Sequence, residues 1–317
     1  MNNAREIQAV HVITGGSRYV DIDVYASCIA YRELLNLLDV PAKAITSASL
    51  NESVSDLIKM IPLGFDSYTQ TKEDKFIVLD VSNPDFFDEI VFHDKIIEII
   101  DHHIGHEDYW HKRPEVKTQI EHIGSVATMI FEKFVSQHKK QYLSTNLCKL
   151  LVAAIIDNTL NLKAGITTDR DHLAFYELMQ IGNLNDSWPK EYLESCESQI
   201  LCNLKNAIQS DTKHIFIANV PNALGQLMVF NHEKVLAEQE LIKQAFQNKD
   251  DWALNLISLR DGKSYLISDS ILSRSKLELL FGKKFNGNIL ELDNFMLRKE
   301  IMALAYDYGK KDGLIRH

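Results

Sequence analysis

Three polar side chains with metal-binding potential, Asp101, His102 and His103, directly follow the apolar run at residues 96–100. That run has Glu98 as its single polar interruption, a pattern that indicates a strand buried on both faces of a parallel α/β sheet. In open α/β sheets, ligands bind beyond the carboxyl ends of the strands. Carboxylates and imidazoles bind divalent cations, and an imidazole also exchanges protons near neutral pH. We therefore predict that these three residues form one corner of a metal site.

Further carboxylates stand where other apolar segments begin or end. Asp21 and Asp23 precede an apolar helix, Asp80 closes the run at residues 75–79, and Asp157 ends a long apolar helical segment. Each has a structural explanation as well, because an Asp caps a helix or opens a turn. If a parallel sheet gathers them, mixed carboxylate and imidazole ligands without cysteine favour Mn²⁺, Mg²⁺ or Co²⁺ over a structural zinc. Two such ions a few Å apart are suited to in-line phosphoryl displacement with an activated water.

The elements that would position these residues alternate between strand and helix up to about residue 175. Strands are predicted at residues 9–14, 42–46, 75–80 and 96–100, and helices at 24–38, 54–61, 86–92, 126–135, 147–156 and after Thr168. This order predicts an α/β domain with a parallel sheet and helices on both faces. Gly15-Gly16 indicates a tight turn and is a weak signal for nucleotide binding. Gly124-Ser125, at a helix start, is either a cap or an anion site.

The C-terminal part reads as a smaller α+β domain. Strands are predicted at residues 214–218, 226–230, 253–259 and 264–268, and helices at 191–209, 233–247, 270–281 and 294–306. Since 317 residues exceed the chain length that a single hydrophobic core usually stabilises, two domains are expected. We predict a metal-binding catalytic domain at 1–187, a linker helix at 188–212 and a substrate-binding domain at 213–317. The active site is expected in the cleft between the two domains.

Composition restricts the cellular compartments and the binding partners that we expect for this protein. The balance of 34 Lys+Arg against 44 Asp+Glu gives a net charge of -10, which disfavours nucleic-acid binding beyond a short oligonucleotide substrate. Four cysteines without close paired spacing favour a reducing cytoplasm. No signal-peptide pattern and no run of about 18 apolar residues occur, so no membrane association is expected. Oligomeric state is left open by these observations.

Taken in order, these motifs resemble the DHH phosphoesterase superfamily over about residues 10–175. They comprise Asp21-Ile22-Asp23 after a Gly-rich loop, Asp80 at a strand end, Asp101-His102-His103, and Asp157-Asn158-Thr159 after an apolar helix. The resemblance implies a site for two divalent ions, with Mn²⁺ as the first choice and Mg²⁺ or Co²⁺ as alternatives. The metal ligands that it implies are Asp21, Asp23, Asp80, His102 and Asp157. It further implies that His103 contacts the substrate phosphate and that Asp101 holds an imidazole, so that Asp80, Asp101 and His103 form the catalytic group.

The match departs from inorganic pyrophosphatases of this superfamily at one metal ligand. Those enzymes carry a metal-binding His four residues before the first Asp of Asp-x-Asp, where this chain has Ser17. The loss of an imidazole is expected to weaken one metal position or change metal preference. The exopolyphosphatase and prune-like branch also lacks this His, and the resemblance therefore favours that branch.

The C-terminal part resembles the second type of DHH-associated domain. It lacks the Gly-Gly-Gly-His run of the nanoRNase-like members, and Lys205 falls where pyrophosphatase-like members place a phosphate-binding Lys. Residues 295–299 resemble their Ser-Arg-Lys signature, with Leu297 replacing Ser. The resemblance implies that Lys205, Arg298 and Lys299 bind substrate phosphate. Without it, Arg298 and Lys299 read as solvated charges on a helix.

The function predicted from the sequence is metal-dependent hydrolysis of phosphoanhydride bonds in pyrophosphate or short polyphosphate. One alternative is a phosphodiesterase for nucleotides or short oligonucleotides, with Tyr19 and Trp110 as candidate stacking platforms. Another is a catalytically weak, prune-like binding or regulatory protein. A nucleotide-cofactor oxidoreductase that uses Gly15-Gly16 is a third alternative.

Overall fold

The computed structural model describes residues 9–311, which form two compact units that meet in the chain between Tyr192 and Leu193. The first unit contains a five-stranded sheet in the order β2-β1-β3-β4-β5, in which every neighbouring pair is parallel. Its strands are β1 (His11–Thr14), β2 (Ala42–Ala44), β3 (Lys75–Leu79), β4 (Ile96–Asp101) and β5 (Lys117–Ile120). The predicted parallel sheet is confirmed. The sequence prediction missed β5, because this exposed edge strand lacks an apolar run.

Helices connect and cover these strands. They are α1 (Ile22–Leu37), α2 (Asp56–Lys59), α3 (Glu107–His111), α4 (Val126–Ser136), α5 (Thr145–Asn158) and α6 (Asp169–Ile181). A reciprocal capping box between Thr168 and Asp171 begins α6, as the Thr-Asp pattern predicts. The next helix, α7 (Trp188–Cys202), contains the division between the two units.

The helix predicted at residues 86–92 is wrong, since only a single 3₁₀ turn forms there, at Pro84–Phe86. The buried Asp88 carboxylate is instead used for long-range bonds. It accepts from Thr14 Oγ1 at 3.1 Å and from the Ser47 backbone amide at 2.8 Å. These contacts fix the segment as a loop under the carboxyl end of β1.

The sheet of the first unit is buried on both faces. Four successive side chains of β3, Phe76, Ile77, Val78 and Leu79, are at most 1% exposed, although neighbours along a strand point to opposite faces. The turn after β1 packs equally tightly. A Cβ at Gly15 would lie 2.5 Å from Val24 Cγ1, so only glycine lets α1 approach the strand end this closely.

Glu98, the polar interruption in β4, is buried in a hydrogen-bonded ionic cluster. It accepts from Tyr31 Oη at 2.6 Å, and Lys117 and Lys133 lie 2.8 and 3.3 Å from Oε1. Burial opposes ionisation of Glu98, but Lys133, Lys117 and Tyr31 together outweigh it and lower the pKa of the carboxyl. The cluster explains how a charge is accommodated in the strand that leads to Asp101.

The second unit is a mixed α+β structure. Its strands are β6 (Lys213–His214), β7 (Ala223–Val229), β8 (Trp252–Ser258), β9 (Lys263–Ile267) and β10 (Ile289–Leu292). They lie in the order β10-β9-β8-β7-β6, and only β7 and β8 pair in parallel. The helices are α8 (Leu204–Ser210), α9 (His232–Leu236), α10 (Gln239–Ala245), α11 (Ile271–Phe281) and α12 (Arg298–Lys311).

Two predicted helices are each divided in the structure. The helix predicted at residues 191–209 is interrupted at Asn203, whose φ of -142° and ψ of 48° lie outside the helical region, so α7 ends and α8 begins there. The helix predicted at 233–247 is likewise two short helices, α9 and α10. Across residues 9–311, none of the helices has the length and apolar character needed to span a membrane.

Candidate metal centre

The turn after β4 is organised by the carboxylate of Asp101. Its Oδ1 accepts from the backbone amides of His102 and His103 at 2.7 and 3.0 Å, and from Nδ1 of the His103 ring at 2.9 Å. Burial opposes the charge of Asp101, but hydrogen bonding and the charge of His103 outweigh it and lower the pKa of the carboxyl. Asp101 therefore fixes both the turn and the orientation of the second imidazole.

The ring of His102 is held so that one nitrogen faces Asp80. Its Nδ1 lies 3.0 Å from the backbone carbonyl of Ile123. A carbonyl only accepts, so Nδ1 carries a proton, and Nε2 offers a lone pair when it carries none. Nε2 is buried, makes no hydrogen bond within the described residues, and lies 3.2 Å from Asp80 Oδ1. Two acceptors at this separation repel unless a proton or cation lies between them, and this donor set therefore fits a divalent metal ion.

Asp80 is placed opposite His102 by an unusual backbone conformation. Its φ is 63°, in the left-handed region, and its amide donates to the Ile100 carbonyl at 2.9 Å, directly beyond β3. Its Oδ1 also lies 3.7 Å from His103 Nδ1. Among residues 9–311, one group of histidine and acidic side chains brings its ligand atoms within 4.8 Å of one another: Asp80, His102 and His103.

Asp23, in the first turn of α1, is fully buried, and its carboxylate contacts the N-terminus of α4. Its Oδ1 accepts from Ser27 Oγ at 3.2 Å, Ser125 Oγ at 2.9 Å and the Ala127 amide at 2.9 Å, whereas Oδ2 accepts from the Val126 amide at 2.9 Å. The helix start at Gly124-Ser125, considered as an anion site, is thus occupied by a carboxylate of the chain itself. A carboxylate oxygen has two lone pairs, so Oδ2 retains capacity for a further bond.

The pKa of Asp23 is affected by the charges of Asp80 and His102. Burial and, to a smaller extent, the charges of Asp80 and Asp21 raise the pKa of Asp23 to about 7, although His102 and the Val126 amide act in the opposite direction. A buried carboxylate with such a pKa beside another acid is typical of a functional site. A cation between these acids would remove the repulsion that raises the pKa.

Asp21 and Asp157 are placed at helix ends. Asp21 caps α1, and its Oδ1 accepts from the Val24 amide at 3.0 Å. Asp157 lies in the last turn of α5, where its Oδ1 accepts from Tyr192 Oη at 3.0 Å. Neither belongs to the group of atoms within 4.8 Å, and the predicted set of five metal ligands remains a prediction.

The structure also describes Trp110, a candidate stacking platform, and Ser17, which stands where pyrophosphatases carry a metal-binding His. Trp110 is buried, stacks on Phe87, and donates from Nε1 to the Ser82 carbonyl at 2.8 Å, so it is a core residue and offers no stacking surface to a nucleobase. Ser17 is partly buried in the loop after β1, where its amide donates to the Phe86 carbonyl at 2.9 Å.

The proposed phosphate-binding residues of the second unit differ in exposure. Arg298 is only 6% exposed; its Nη2 bonds Asp211 Oδ1 at 2.7 Å and its Nη1 bonds the Leu224 carbonyl at 3.2 Å. The reading of Arg298 as a solvated helix charge is therefore wrong. Lys299 is exposed, and Lys205 is partly exposed in the first turn of α8.

Comparison with known proteins gives a family match within the first unit. Residues 11–155 match the DHH family, N-terminal domain, and the resemblance noted in the sequence is confirmed. A manganese-dependent inorganic pyrophosphatase of Methanothrix thermoacetophila is 23% identical over 312 residues, which cover 92% of this chain and 96% of that protein.

Two solved structures share the two-domain fold. A Methanococcus jannaschii protein assigned to family II of the inorganic pyrophosphatases has a TM-score of 0.67 at 22% identity, covering 93% of this chain and 99% of that one. An exopolyphosphatase-related protein from Bacteroides fragilis has a TM-score of 0.52 at 15% identity, covering 96% and 94%. These likenesses support the predicted combination of a parallel-sheet domain with a smaller α+β domain.

Proposed function

We propose that this protein is a divalent-metal-dependent phosphohydrolase that cleaves phosphoanhydride bonds of pyrophosphate or short polyphosphate. The observation that carries the proposal is the buried pair of His102 Nε2 and Asp80 Oδ1, which lie 3.2 Å apart and are close enough to share a cation. Supporting it, relatives aligned over most of the chain are named as manganese-dependent inorganic pyrophosphatases.

The metal centre is proposed to be built from the carboxyl edge of the sheet. His102 Nε2, Asp80 and Asp23 Oδ2 would hold a cation, and Asp21 and Asp157 would complete a set for two ions. Manganese is the proposed metal, with Mg²⁺ or Co²⁺ as alternatives. When bound at such a site, it supplies Lewis acidity toward phosphoryl oxygen atoms and lowers the pKa of water.

The residues around that centre would bind and orient the substrate. The His103 side chain is 51% exposed, and Asp101 holds its Nδ1, so the opposite ring nitrogen is available to the substrate. A protonated His103 would donate from Nε2 to a phosphate oxygen, and that charge-assisted bond strengthens as negative charge develops during displacement. Lys205 and Lys299 are proposed to bind the remaining phosphate charge; Arg298, predicted for the same role, could contribute only if its buried guanidinium left Asp211.

Two rival functions are weighed against specific residues. The burial of Trp110 removes one of the two candidate platforms for base stacking, which favours an inorganic substrate over an oligonucleotide. Ser17, in contrast, favours a second candidate: a protein that binds a cation and phosphate but turns over slowly, because an imidazole ligand is missing from one metal position.

A substrate and metal panel tests these functions together. Phosphate release is measured from pyrophosphate, tripolyphosphate, longer polyphosphate and a dinucleotide, each with Mg²⁺, Mn²⁺ and Co²⁺, and calorimetry gives the number of bound ions. We expect release from an inorganic substrate with Mn²⁺, a loss of about 100-fold in His102→Ala, and little change in His111→Ala, which removes an exposed imidazole of α3. Release confined to the dinucleotide would contradict the proposed substrate, and Mn²⁺ binding without any release would support the slow binding protein.

A further inference from the structure

The side chain of Tyr192 connects the segments that carry two of the acidic motifs. It is 0% exposed, and its hydroxyl lies 3.0 Å from both Asp157 Oδ1 and the backbone carbonyl of Ser53. Tyr192 belongs to α7, 35 residues after Asp157 and 139 after Ser53. No motif in the sequence pointed to this tyrosine.

Ser53 also forms a hydrogen bond with the segment that carries Asp21 and Asp23. Ser53 Oγ accepts from the backbone amide of Ile22, the residue between these two acids, at 2.8 Å. The same segment pairs with the chain before the motif, because the Asn51 amide donates to the Val20 carbonyl at 2.9 Å. One buried hydroxyl thus contacts both the segment that supports Asp21 and Asp23 and the carboxylate at the end of α5.

The hydroxyl has a single proton for two acceptors. A charged carboxylate is the stronger acceptor, so the proton is directed to Asp157 when that group is ionised. An aspartate has two side-chain torsions, and a fixed donor on Oδ1 restricts both of them. The remaining lone pairs of the carboxylate are then presented in one orientation, which lowers the entropy lost when a ligand binds.

We propose that Tyr192 is a positioning residue of the metal centre, which holds the Asp157 carboxylate in the orientation that a divalent cation requires. The inference rests on the proposed function, since it takes Asp157 as a metal ligand. Partners of this kind, which orient a ligand without touching the metal, typically change metal affinity by roughly 10- to 100-fold when removed. Tyr192 therefore acts on Mn²⁺ through Asp157 and not by contact.

The chain contains a matched control for this hydrogen bond. Tyr68 Oη donates to Asp74 Oδ2 at 2.7 Å, also within the first unit, and Asp74 further accepts from the Val10 and Thr71 amides. Tyr68→Phe and Tyr192→Phe each remove one tyrosine-to-aspartate bond and keep the ring. Neither loss is large compared with the stability of a domain, and thermal unfolding of the metal-free proteins verifies that both variants remain folded.

The experiment is a Mn²⁺ titration of the full chain by calorimetry and by electron paramagnetic resonance of free Mn²⁺. It compares the natural protein with Tyr192→Phe, Tyr68→Phe, Asp157→Asn and the double variant Tyr192→Phe/Asp157→Asn. We expect about 10-fold weaker Mn²⁺ binding in Tyr192→Phe and unchanged binding in Tyr68→Phe. The double variant should bind no more weakly than Asp157→Asn, because a residue that acts through another has no effect once the other is removed.

Three outcomes would overturn the inference in different ways. Equal Mn²⁺ affinity of Tyr192→Phe and the natural protein would show that the hydroxyl does not position a ligand. Additive losses in the double variant would show that Tyr192 acts independently of Asp157. Failure of the natural protein itself to bind Mn²⁺ would overturn the proposed function as well, and this result is distinguishable from the other two.

Discussion

The backbone amide of Val126 donates to Oδ2 of Asp23 at 2.9 Å, across a separation of 103 residues along the chain. This bond joins the Asp-x-Asp motif to the first turn of α4, where Ser125 and Ala127 also donate to the same carboxylate. A negative charge at a helix N-terminus is favourable, yet this carboxylate is also fully buried and lies near Asp80. Its protonation state is therefore sensitive to pH and to any nearby cation.

We expect the stability of the metal-free protein to depend on pH through Asp23. Its pKa is about 7 in the folded protein against 3.8 as the ordinary value, so between these limits the folded state keeps a proton that the unfolded state releases. The contribution of Asp23 to the free energy of unfolding is full below about pH 4, falls as the pH rises toward 7, and is constant above it. Thermal unfolding in EDTA between pH 5 and 8 measures this fall, which Asp23→Asn should remove.

Cation binding should show the opposite dependence on pH. Because a cation at Asp23 replaces the proton, Mn²⁺ affinity is expected to rise by up to about tenfold per pH unit below pH 7 and to level off above it. Calorimetry in buffers of different ionisation enthalpy gives the number of protons released. An Mn²⁺ affinity that is constant from pH 5.5 to 7 would exclude Asp23 as the group that exchanges its proton.

Asp101→Asn should reduce turnover much more than it reduces metal binding. The carboxylate holds the His103 ring through Nδ1 at 2.9 Å, and the amide would lose the charge that supports this bond. We expect kcat to fall by roughly 10- to 100-fold, with a smaller change in Mn²⁺ affinity. Asp74→Asn is the control, because Asp74 is a buried carboxylate that also accepts backbone amides. An unchanged kcat would remove Asp101 from the catalytic group.

Gly15→Ala should destabilise the first unit more than Gly16→Ala. The new Cβ would lie 2.5 Å from Val24 Cγ1 and 3.2 Å from the Leu79 carbonyl, whereas at Gly16 the nearest atom, the Phe86 carbonyl oxygen, is 3.3 Å away. Overpacking of this kind costs about 1–3 kcal/mol. Urea unfolding monitored by circular dichroism compares the two variants. Equal midpoints would mean that α1 can move away from β1 at little cost.

Arg298 and Lys299 are neighbours, but we expect different effects from their substitution. Arg298→Ala would leave Asp211 and the Leu224 carbonyl without a buried guanidinium, with an expected loss of about 1–3 kcal/mol in the free energy of unfolding. Lys299→Ala should leave that free energy nearly unchanged, because the side chain is exposed, and should raise KM for pyrophosphate by roughly 10-fold. Urea unfolding and steady-state kinetics separate the two effects, and an unchanged KM would argue against phosphate binding by Lys299.

Local sequence patterns were sufficient for the central part of the fold. The apolar runs of β3 and β4 predict their burial because both faces of the sheet are covered. The four-residue strand β5 carries only one apolar residue, Ile120, and its place in the sheet depends on pairing with β4. The prediction of a helix at residues 86–92 was wrong for a similar reason. Asp88 accepts hydrogen bonds from residues 41 and 74 positions away in the chain, which a local pattern does not reveal.

The candidate site was likewise predictable from the sequence only in part. Asp101, His102 and His103 are adjacent in the chain, so their grouping is visible in the sequence. The partner that orients His102 is a backbone carbonyl, that of Ile123, and every residue has such a group. Tyr192 likewise carries no local signal for its bond to Asp157, because helix packing alone brings the two residues together.

The positive φ of Asp80 has a consequence for the comparison of related chains. Most side chains other than glycine, asparagine and aspartate are costly in this conformation, so few residue types fit this position. If Asp80 is a metal ligand as proposed, a descendant released from catalysis could carry glycine or asparagine here with the same backbone, whereas a working enzyme would keep the aspartate. The identity of the residue at this position is therefore an inexpensive marker for separating active lineages from those that retain the fold alone.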